Sequence, residues 1–287
     1  MNQLNFIMLC GLPGSGKSTY AQKLTASGYA VVSSDTIRYE LFGDENDQSN
    51  NGLVFYTMRQ RMLECFERGQ NVVFDATNIN RKDRKETLKV IPPYVRKICH
   101  IIWAPLDLCI ERDKCRTRMV GPDAIMRIAK KFQVPYYDEG LDVITIVRPE
   151  GFHSVQYFLV IDEQTVIPHN NPHHTLNIKD HCVTTGAFAR EMKFSPTIEL
   201  AARIHDFGKP FVKAFCNHKG EPTTEAHYYN HENVGAWIAC GITRNLDACW
   251  LVGVHMAPFN NEKYYRSLPS YMRAQIEKLN EIDKKAH

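Results

Sequence analysis

Gly11-Leu-Pro-Gly-Ser-Gly-Lys-Ser18 decides the fold of the first half of the chain. The stretch fits G-x4-G-K-[ST] at every fixed position. Phe6-Ile-Met-Leu-Cys10 before it reads as a buried strand, and Thr19–Thr25 after it reads as the start of a helix. A strand that turns on glycines into a helix N-terminus aims several backbone N–H groups at one point, which suits a phosphate. Gly11, Gly14 and Gly16 allow the backbone to approach closely, and Ser15 and Thr19 belong to the same cradle. Lys17 can reach the β- and γ-phosphates of a nucleotide, and the Ser18 hydroxyl can ligate Mg2+.

Outward from this loop, Ala30-Val-Val-Ser-Ser-Asp35 reads as a second strand ending in a carboxylate, and Val72-Val-Phe-Asp75 as a third. Ile98–Trp103 and Val143–Val147 supply a fourth and a fifth. Helical stretches fall between them, over Phe55–Arg68, Arg81–Val90, Leu106–Thr117 and Ala124–Phe132. Alternating strands and helices predict an α/β domain, a parallel sheet with helices on both faces. Ligands of such sheets gather at the carboxyl ends of the strands, where the loop, Asp35 and Asp75 fall. Asp35 can take a proton from an attacking hydroxyl, or it can cap the following helix. Arg38, one turn on, can hold a substrate phosphate. Asp75-Ala-Thr-Asn78 reads either as a turn or as the lining of an acceptor pocket, through Asp75, Thr77 and Asn78. Arg112 and Arg116 share a helical face, with Arg118 nearby. Two cations so placed repel unless an anion lies between them, although a solvated face is the plainer reading of such a run.

The bulk composition constrains the rest. A length of 287 residues suits two domains. Hydrophobic content of 44% and charged content of 23% are those of an ordinary globular protein. A net charge of +3 neither demands nor excludes nucleic acid. No apolar run is long enough to span a bilayer, and no leader pattern precedes the first strand. Nine cysteines without a C-x-x-C pair predict reduced thiols and a cytoplasmic location, with most of them buried.

The P-loop, Asp35 with Arg38, Asp75-x-Thr-Asn78 and Arg112-x3-Arg116 together resemble the polynucleotide 5′-kinase branch of P-loop kinases. The resemblance covers about residues 4–150. It implies ATP and Mg2+ at the loop, Asp35 activating a 5′-hydroxyl, Arg38 on the acceptor's phosphate, and Arg112 and Arg116 on the transferred phosphate. Ser34 stands before Asp35 where many relatives carry a second acid. Small-molecule kinases share much of the pattern.

Pro168-His-Asn-Asn-Pro-His-His174 breaks regular structure, and Tyr157–Ile161 with Thr165–Ile167 suggests a short hairpin. The expected organisation is therefore 1–150, a linker over 151–172, and a second domain over 173–287 that reads as consecutive helices. In that second domain polar residues fall on apolar helical faces: His181, His205 with Asp206, His231, His255 and Asp283. An ionised carboxylate on a core face is costly unless paired or metal-bound. Four histidines and two aspartates from five helices suit a cation held inside a bundle, with Mn, Fe, Ni, Co, Zn and Mg all compatible.

The order His181 … His205-Asp206 … Asp283, with Ala201-Ala-Arg-Ile-His-Asp-Phe-Gly-Lys209, resembles the HD-domain metal phosphohydrolases. His173–Gly235 is also similar to the HD region of bacterial tRNA CCA-adding enzymes. The resemblance implies an all-α HD-type domain that holds metal through His181, His205, Asp206 and Asp283. It implies His231 and His255 for a second metal, and Lys209 as a phosphate contact. Together the two halves imply an end-healing enzyme acting on nucleic-acid ends, RNA favoured over DNA. A 5′-kinase would be joined to a 3′-phosphatase or 2′,3′-cyclic phosphodiesterase. The alternatives are a kinase of a nucleoside, nucleotide or other small molecule fused to an HD nucleotidase, and a kinase regulated by a non-catalytic HD nucleotide sensor.

Overall fold

The computed structural model describes residues 3–116, 119–171 and 175–286. Residue contacts divide the chain into two compact units. One comprises Met1–Ile128 with Pro135–Glu150, the other Ala129–Val134 with Gly151–His287.

The first unit runs β1 (Asn5–Cys10), α1 (Lys17–Thr25), β2 (Ala30–Ser33), α2 (Ser34–Phe42), α3 (Asn51–Glu67), β3 (Val72–Asp75), α4 (Arg81–Leu88), β4 (Arg96–Ile102), α5 (Leu106–Lys114), α6 (Pro122–Ala129) and β5 (Val143–Val147). Its five strands pair in parallel in the order β2-β3-β1-β4-β5. Side chains alternate across β1. Ile7 and Leu9 pack with Ala21 of α1 on one face, whereas Phe6 meets Phe66 of α3 edge-on, centroids 6.4 Å apart, on the other. Helices thus cover both faces, and the near-continuous apolar strands are those of a sheet buried on both sides. The expected helix over Leu106–Thr117 ends at Lys114, with Thr117 and Arg118 outside the described residues. The one expected over Ala124–Phe132 runs instead over Pro122–Ala129, proline suiting a first helical position. Phe132, which belongs to the second unit, packs there on Trp237, ring centroids 5.1 Å apart.

Arg84 and Glu139 form a two-bond fork inside the first unit, both bonds 2.7 Å and both side chains fully buried. Arg84 Nη1 also donates to the carbonyls of Asn78 and Ile79, at 3.0 and 2.9 Å. Breaking such a pair leaves an uncompensated buried charge, whereas replacing both partners with apolar groups costs far less. Glu139→Gln is expected to destabilise this unit by about 3–5 kcal/mol. The Arg84→Met/Glu139→Leu double variant should lose much less, both read as urea midpoints.

The second unit runs α7 (Ser154–Gln164), α8 (Ile178–Glu191), α9 (Pro196–Ile204), α10 (Lys209–Val212), β6 (Ala214–Cys216), β7 (Pro222–His227), α11 (His231–Ile242), α12 (Leu246–Val254), α13 (Ala257–Asn260), α14 (Glu262–Ser267) and α15 (Ser270–Lys285). Two expectations are corrected. The segment read as a hairpin is the helix α7. Its Asp162-Glu-Gln is helical rather than a turn because buried Asp162 pairs with Arg203 and with Lys179, while Phe158 packs on Phe207. Conversely, the purely helical reading missed an antiparallel hairpin, β6–β7, inserted between Lys209 and His231. Its short, polar strands carry almost no apolar alternation; only Ala226 of β7 is buried. Seven of the nine cysteines are buried, and all nine are free thiols. No helix among the described residues is long and apolar enough to cross a membrane.

Candidate nucleotide cleft and metal centre

The first site forms at the carboxyl ends of β1, β2 and β3. Leu9 pairs with Asp75 and Asp75 with Ser33 across the sheet, so the loop after β1 opens beside both strand ends. Gly14 and Gly16 have φ of +76° and +102°, and a Cβ on Gly14 would lie 2.2 Å from the Cys109 carbonyl oxygen. Only glycine meets both demands without strain. Gly14, Gly16, Lys17, Ser18 and Thr19 line a cleft of about 290 Å³, which Asp35, Asp75, Thr77, Arg112 and Arg116 close from the other side. Ser34, which sequence reasoning did not assign, also lines it; its place directly before Asp35 was the available signal.

Asp75 sits between the loop and Asp35. Burial raises its pKa, Lys17 opposes that, and a hydrogen bond with Ser18 also favours the carboxylate. Lys17 Nζ donates to the carbonyls of Gly11 and Leu12, at 3.0 and 2.9 Å. Burial depresses the ammonium pKa, and Asp75 pulls it back.

Four assigned residues do not line the cleft. Gly11 and Ser15 are buried beneath it, the Gly11 N–H donating to Thr77 O at 3.0 Å. Asn78 is corrected from a pocket residue to a lock. Its φ is +46°, its amide donates to Leu9 O at 2.7 Å, and its carbonyl accepts from Arg84. The Arg38 side chain also makes hydrogen bonds within the chain. It is buried, with Nη1 3.3 Å from Asp35 Oδ1 and Nη2 donating to Asn51 Oδ1 at 2.8 Å, so it holds the Asp35 carboxylate. Arg116 Nη1 lies 3.9 Å from Asp113, whose carboxylate accepts from the N–H groups of Val120 and Gly121.

The second site lies among the helices of the second unit. Asn177 caps α8 and places His181 in its second turn; Ser195 caps α9, which ends at His205. Asn245 caps α12, which ends at His255, while His231 opens α11 and Asp283 lies in the last turn of α15. The two helix-ending histidines use one device. Each donates Nδ1–H to the carbonyl three residues back, Ala202 or Val252, at 2.8 Å. A carbonyl left unpaired by the helix end is satisfied, and the ring is fixed with Nε2 facing inward. His231 does the same through Tyr228 O at 2.9 Å.

A Cβ on Gly208 would meet His231 O at 2.0 Å and Gly235 N at 2.6 Å. That bare backbone lets the His205-Asp206 turn press against α11. The six side chains therefore converge. His181, His205 and Asp283 form one set and Asp206, His231 and His255 another, ligand atoms within 4.8 Å of one another in each. Asp206 reaches both: Oδ1 is 3.3 Å from His231 Nε2, and Oδ2 is 3.4 Å from His205 Nε2 and 3.7 Å from His181 Nε2.

These residues fit divalent cations. His231 Nε2 faces His255 Nε2 at 3.2 Å, and His181 Nε2 faces His205 Nε2 at 3.3 Å. With Nδ1 donating to a carbonyl, a neutral ring presents a lone pair at Nε2, and two lone pairs at that distance need a cation or proton between them. Burial, His231 and His205 push the His255 pKa down to about 3, leaving a neutral imidazole able to ligate. Burial works against charge on both members of the His205–Asp206 pair. Even so, Asp206 and Asp283 hold His205 high, and His205 and Lys209 hold Asp206 low. Lys209 Nζ lies 2.6 Å from Asp206 Oδ2 and 5.4 Å from the Tyr228 ring, inside the centre.

The two sites define a P-loop, kinase-like nucleotide-binding domain followed by a helical domain that carries a candidate metal centre. Comparison with known families agrees. Residues 6–135 match the family described as an AAA domain, and residues 178–284 match that described as an HD domain. A putative bifunctional polynucleotide kinase/RNA ligase of Autographa californica nuclear polyhedrosis virus is 27% identical over 143 residues, 44% of this chain. The match spans only 20% of that relative's length. Similar solved structures include a chain of the Pnkp1/Rnl/Hen1 RNA repair complex, 19% identical with a TM-score of 0.40 over 45% of this chain and 43% of that one. A gluconokinase from Sinorhizobium meliloti 1021 is 16% identical with a TM-score of 0.38 over 52% and 86%.

Proposed function

We propose that the chain heals broken nucleic-acid ends in the cytoplasm, RNA before DNA, adding phosphate at a 5′-hydroxyl and removing it at a 3′ end. The observation that carries this reading is the presence in one chain of a phosphate-transfer cleft and a separate centre of four histidines and two aspartates. The likeness of part of the chain to a putative bifunctional polynucleotide kinase/RNA ligase supports the choice of acceptor.

In the cleft, the backbone N–H groups of the loop and Lys17 would hold the phosphates of ATP, and Ser18 with Asp75 would hold Mg2+. Asp35, steadied by Arg38, would accept the proton as the 5′-oxygen attacks the γ-phosphorus and ADP leaves. Arg112 and Arg116 would offset the charge spread over the transferred phosphoryl oxygens. Asp75 thereby moves from acceptor pocket to metal partner, because it lies on the strand beside β1 and hydrogen-bonds Ser18. Asp75→Asn is expected to raise the Mg2+ concentration needed for half-maximal rate by about 10- to 100-fold with the KM for RNA little changed. Titrating Mg2+ at saturating ATP checks this, and a raised RNA KM alone would return Asp75 to the acceptor pocket.

In the second unit, divalent cations would polarise a phosphoryl oxygen and supply a nucleophile from water near neutral pH. His181, His205, Asp206, His231, His255 and Asp283 would hold them, and Lys209 would balance charge on the bound phosphate. Water adds at phosphorus, the 3′-oxygen departs as a hydroxyl, and phosphate is released.

The test is a single substrate, an RNA with a 5′-hydroxyl and a 3′-phosphate, incubated with γ-labelled ATP, Mg2+ and a series of transition metals. Label gained at one end and phosphate lost at the other are expected. Turnover of nucleosides without oligonucleotide labelling would replace this reading with a small-molecule kinase.

A further inference from the structure

The candidate metal centre meets solvent at one of its six side chains. His181, His205, Asp206, His231 and His255 are buried, whereas the Asp283 side chain is 23% exposed. The segments next to Asp283 and His255 also enclose a groove of about 540 Å³, lined among others by Pro258, Phe259, Tyr265, Asn280 and Lys284. That volume is within the about 300–1,000 Å³ of small-ligand pockets. Pro258 and Phe259 belong to α13, which begins two residues after His255. Asn280 and Lys284 belong to α15, as does Asp283. Residues three apart on a helix are neighbours, with about 5–6 Å between Cβ atoms, so Asn280 stands beside the exposed ligand. The groove is thus bracketed by one ligand from each set.

Its lining has the chemistry of a base site. Phe259 is 62% exposed, and Lys284 Nζ lies 6.0 Å from the centroid of its ring. Asn280 is buried, yet its side-chain amide makes no hydrogen bond to a described residue and faces the groove. A buried amide is ordinarily satisfied within the protein. Here two N–H donors and a carbonyl acceptor are left for a ligand. The acids of the groove are already engaged. Tyr265 OH donates to Glu277 Oε1, and Lys285 Nζ donates to Glu281 Oε1 at 2.9 Å.

The wall that carries Phe259 is fixed in place. Asn260 Nδ2 donates to Glu232 Oε1 at 2.7 Å, which ties α13 to the residue after His231. An open aromatic face, an unpaired amide and a cation together suit a nucleobase, which stacks on rings and is held by hydrogen bonds along its edge.

We infer that this groove receives the base of the terminal nucleotide whose 3′-phosphate is bound at the metal centre. The base stacks on Phe259 and sets its edge against the Asn280 amide, while Lys284 offsets charge on the strand. This rests on reading the second unit as a 3′-end phosphohydrolase.

The test uses the full chain and two RNAs that differ only in the last nucleotide. One ends in a normal nucleoside 3′-phosphate, the other in an abasic ribose 3′-phosphate. Stacking of one base is worth about 5- to 100-fold in binding. The abasic RNA should therefore show a KM higher by about that factor, with kcat little changed, because the contact is made equally before and during reaction. Phe259→Ala should raise the KM of the normal RNA by a like factor and erase the difference between the two. A terminal 4-thiouridine, irradiated with near-ultraviolet light, should crosslink within 258–265 or 280–284, read by mass spectrometry. Equal KM values for the two RNAs in the unaltered protein would overturn the inference and leave the phosphohydrolase standing. Crosslinks confined to other residues would do the same. No phosphate released from either RNA would overturn both readings. Because the two RNAs are compared on the unaltered protein, the result does not depend on the variant's folding.

Discussion

Lys17→Ala is expected to transfer phosphate from ATP to a 5′-hydroxyl RNA at least about a hundredfold more slowly, while release of 3′-phosphate continues unchanged. One charged donor aimed at developing charge is worth about 10²–10³ in rate. Lys17 is placed for that role. Its ammonium rests on the carbonyls of Gly11 and Leu12 at the bend of the loop and is coupled to Asp75. The alanine variant also leaves the half-dry Asp75 carboxylate without its nearest cation, so circular dichroism should accompany the rate measurement. The intact 3′-end activity is the internal control, since the two sites use different residues and different units. Parallel loss of both activities in a folded protein would argue against independent sites.

Asp206→Asn should have the converse effect. Asp206 reaches both ligand sets, through Oδ1 to His231 and through Oδ2 to His205 and His181. An amide of the same shape keeps the packing but loses the negative charge that two cations would share. Retained metal, measured by elemental analysis after gel filtration, should fall by well over about tenfold at both positions. Phosphate release from 3′ ends should be lost with it, and 5′ transfer should survive. Asp283→Asn and His255→Gln provide the contrast, because each removes a ligand from only one set. Each should therefore lose one metal and keep the other. Equal metal loss in all three variants would mean that the sets do not load separately. The Lys209 ammonium, deprived of its carboxylate partner at 2.6 Å, adds an expected fall in stability of the metal-free form.

Several features of this architecture are written locally and were readable without coordinates. The glycines at 14 and 16 announce a backbone path that other residues strain to follow, and the apolar strands either side of α1 announce a buried parallel sheet. His205-Asp206 and the helical spacing of His181, His231, His255 and Asp283 are likewise local patterns, because an acid or imidazole on an apolar face needs a partner wherever the chain takes it. Local chemistry also misled in places. Asp162 looked like a turn residue because its partners, Arg203 and Lys179, lie 41 and 17 positions away and their pairing is invisible from its neighbours. The hairpin β6–β7 escaped notice because its strands, exposed on one side and short, bury too little to impose an alternation.

What only the tertiary structure decided is which atoms meet. His181 and Asp283 touch across 102 residues, and Asp206 spans two ligand sets because Gly208 and Gly235 let two backbones close up. Asn78 and Arg38, expected as substrate contacts, make hydrogen bonds within the chain, and Asp75 hydrogen-bonds Ser18. His169 had no legible place until the fold buried it 3.9 Å from Asp206 Oδ2. Residue type and spacing determine what chemistry a side chain can perform; the packing of elements far apart in the chain determines which partner it performs it with.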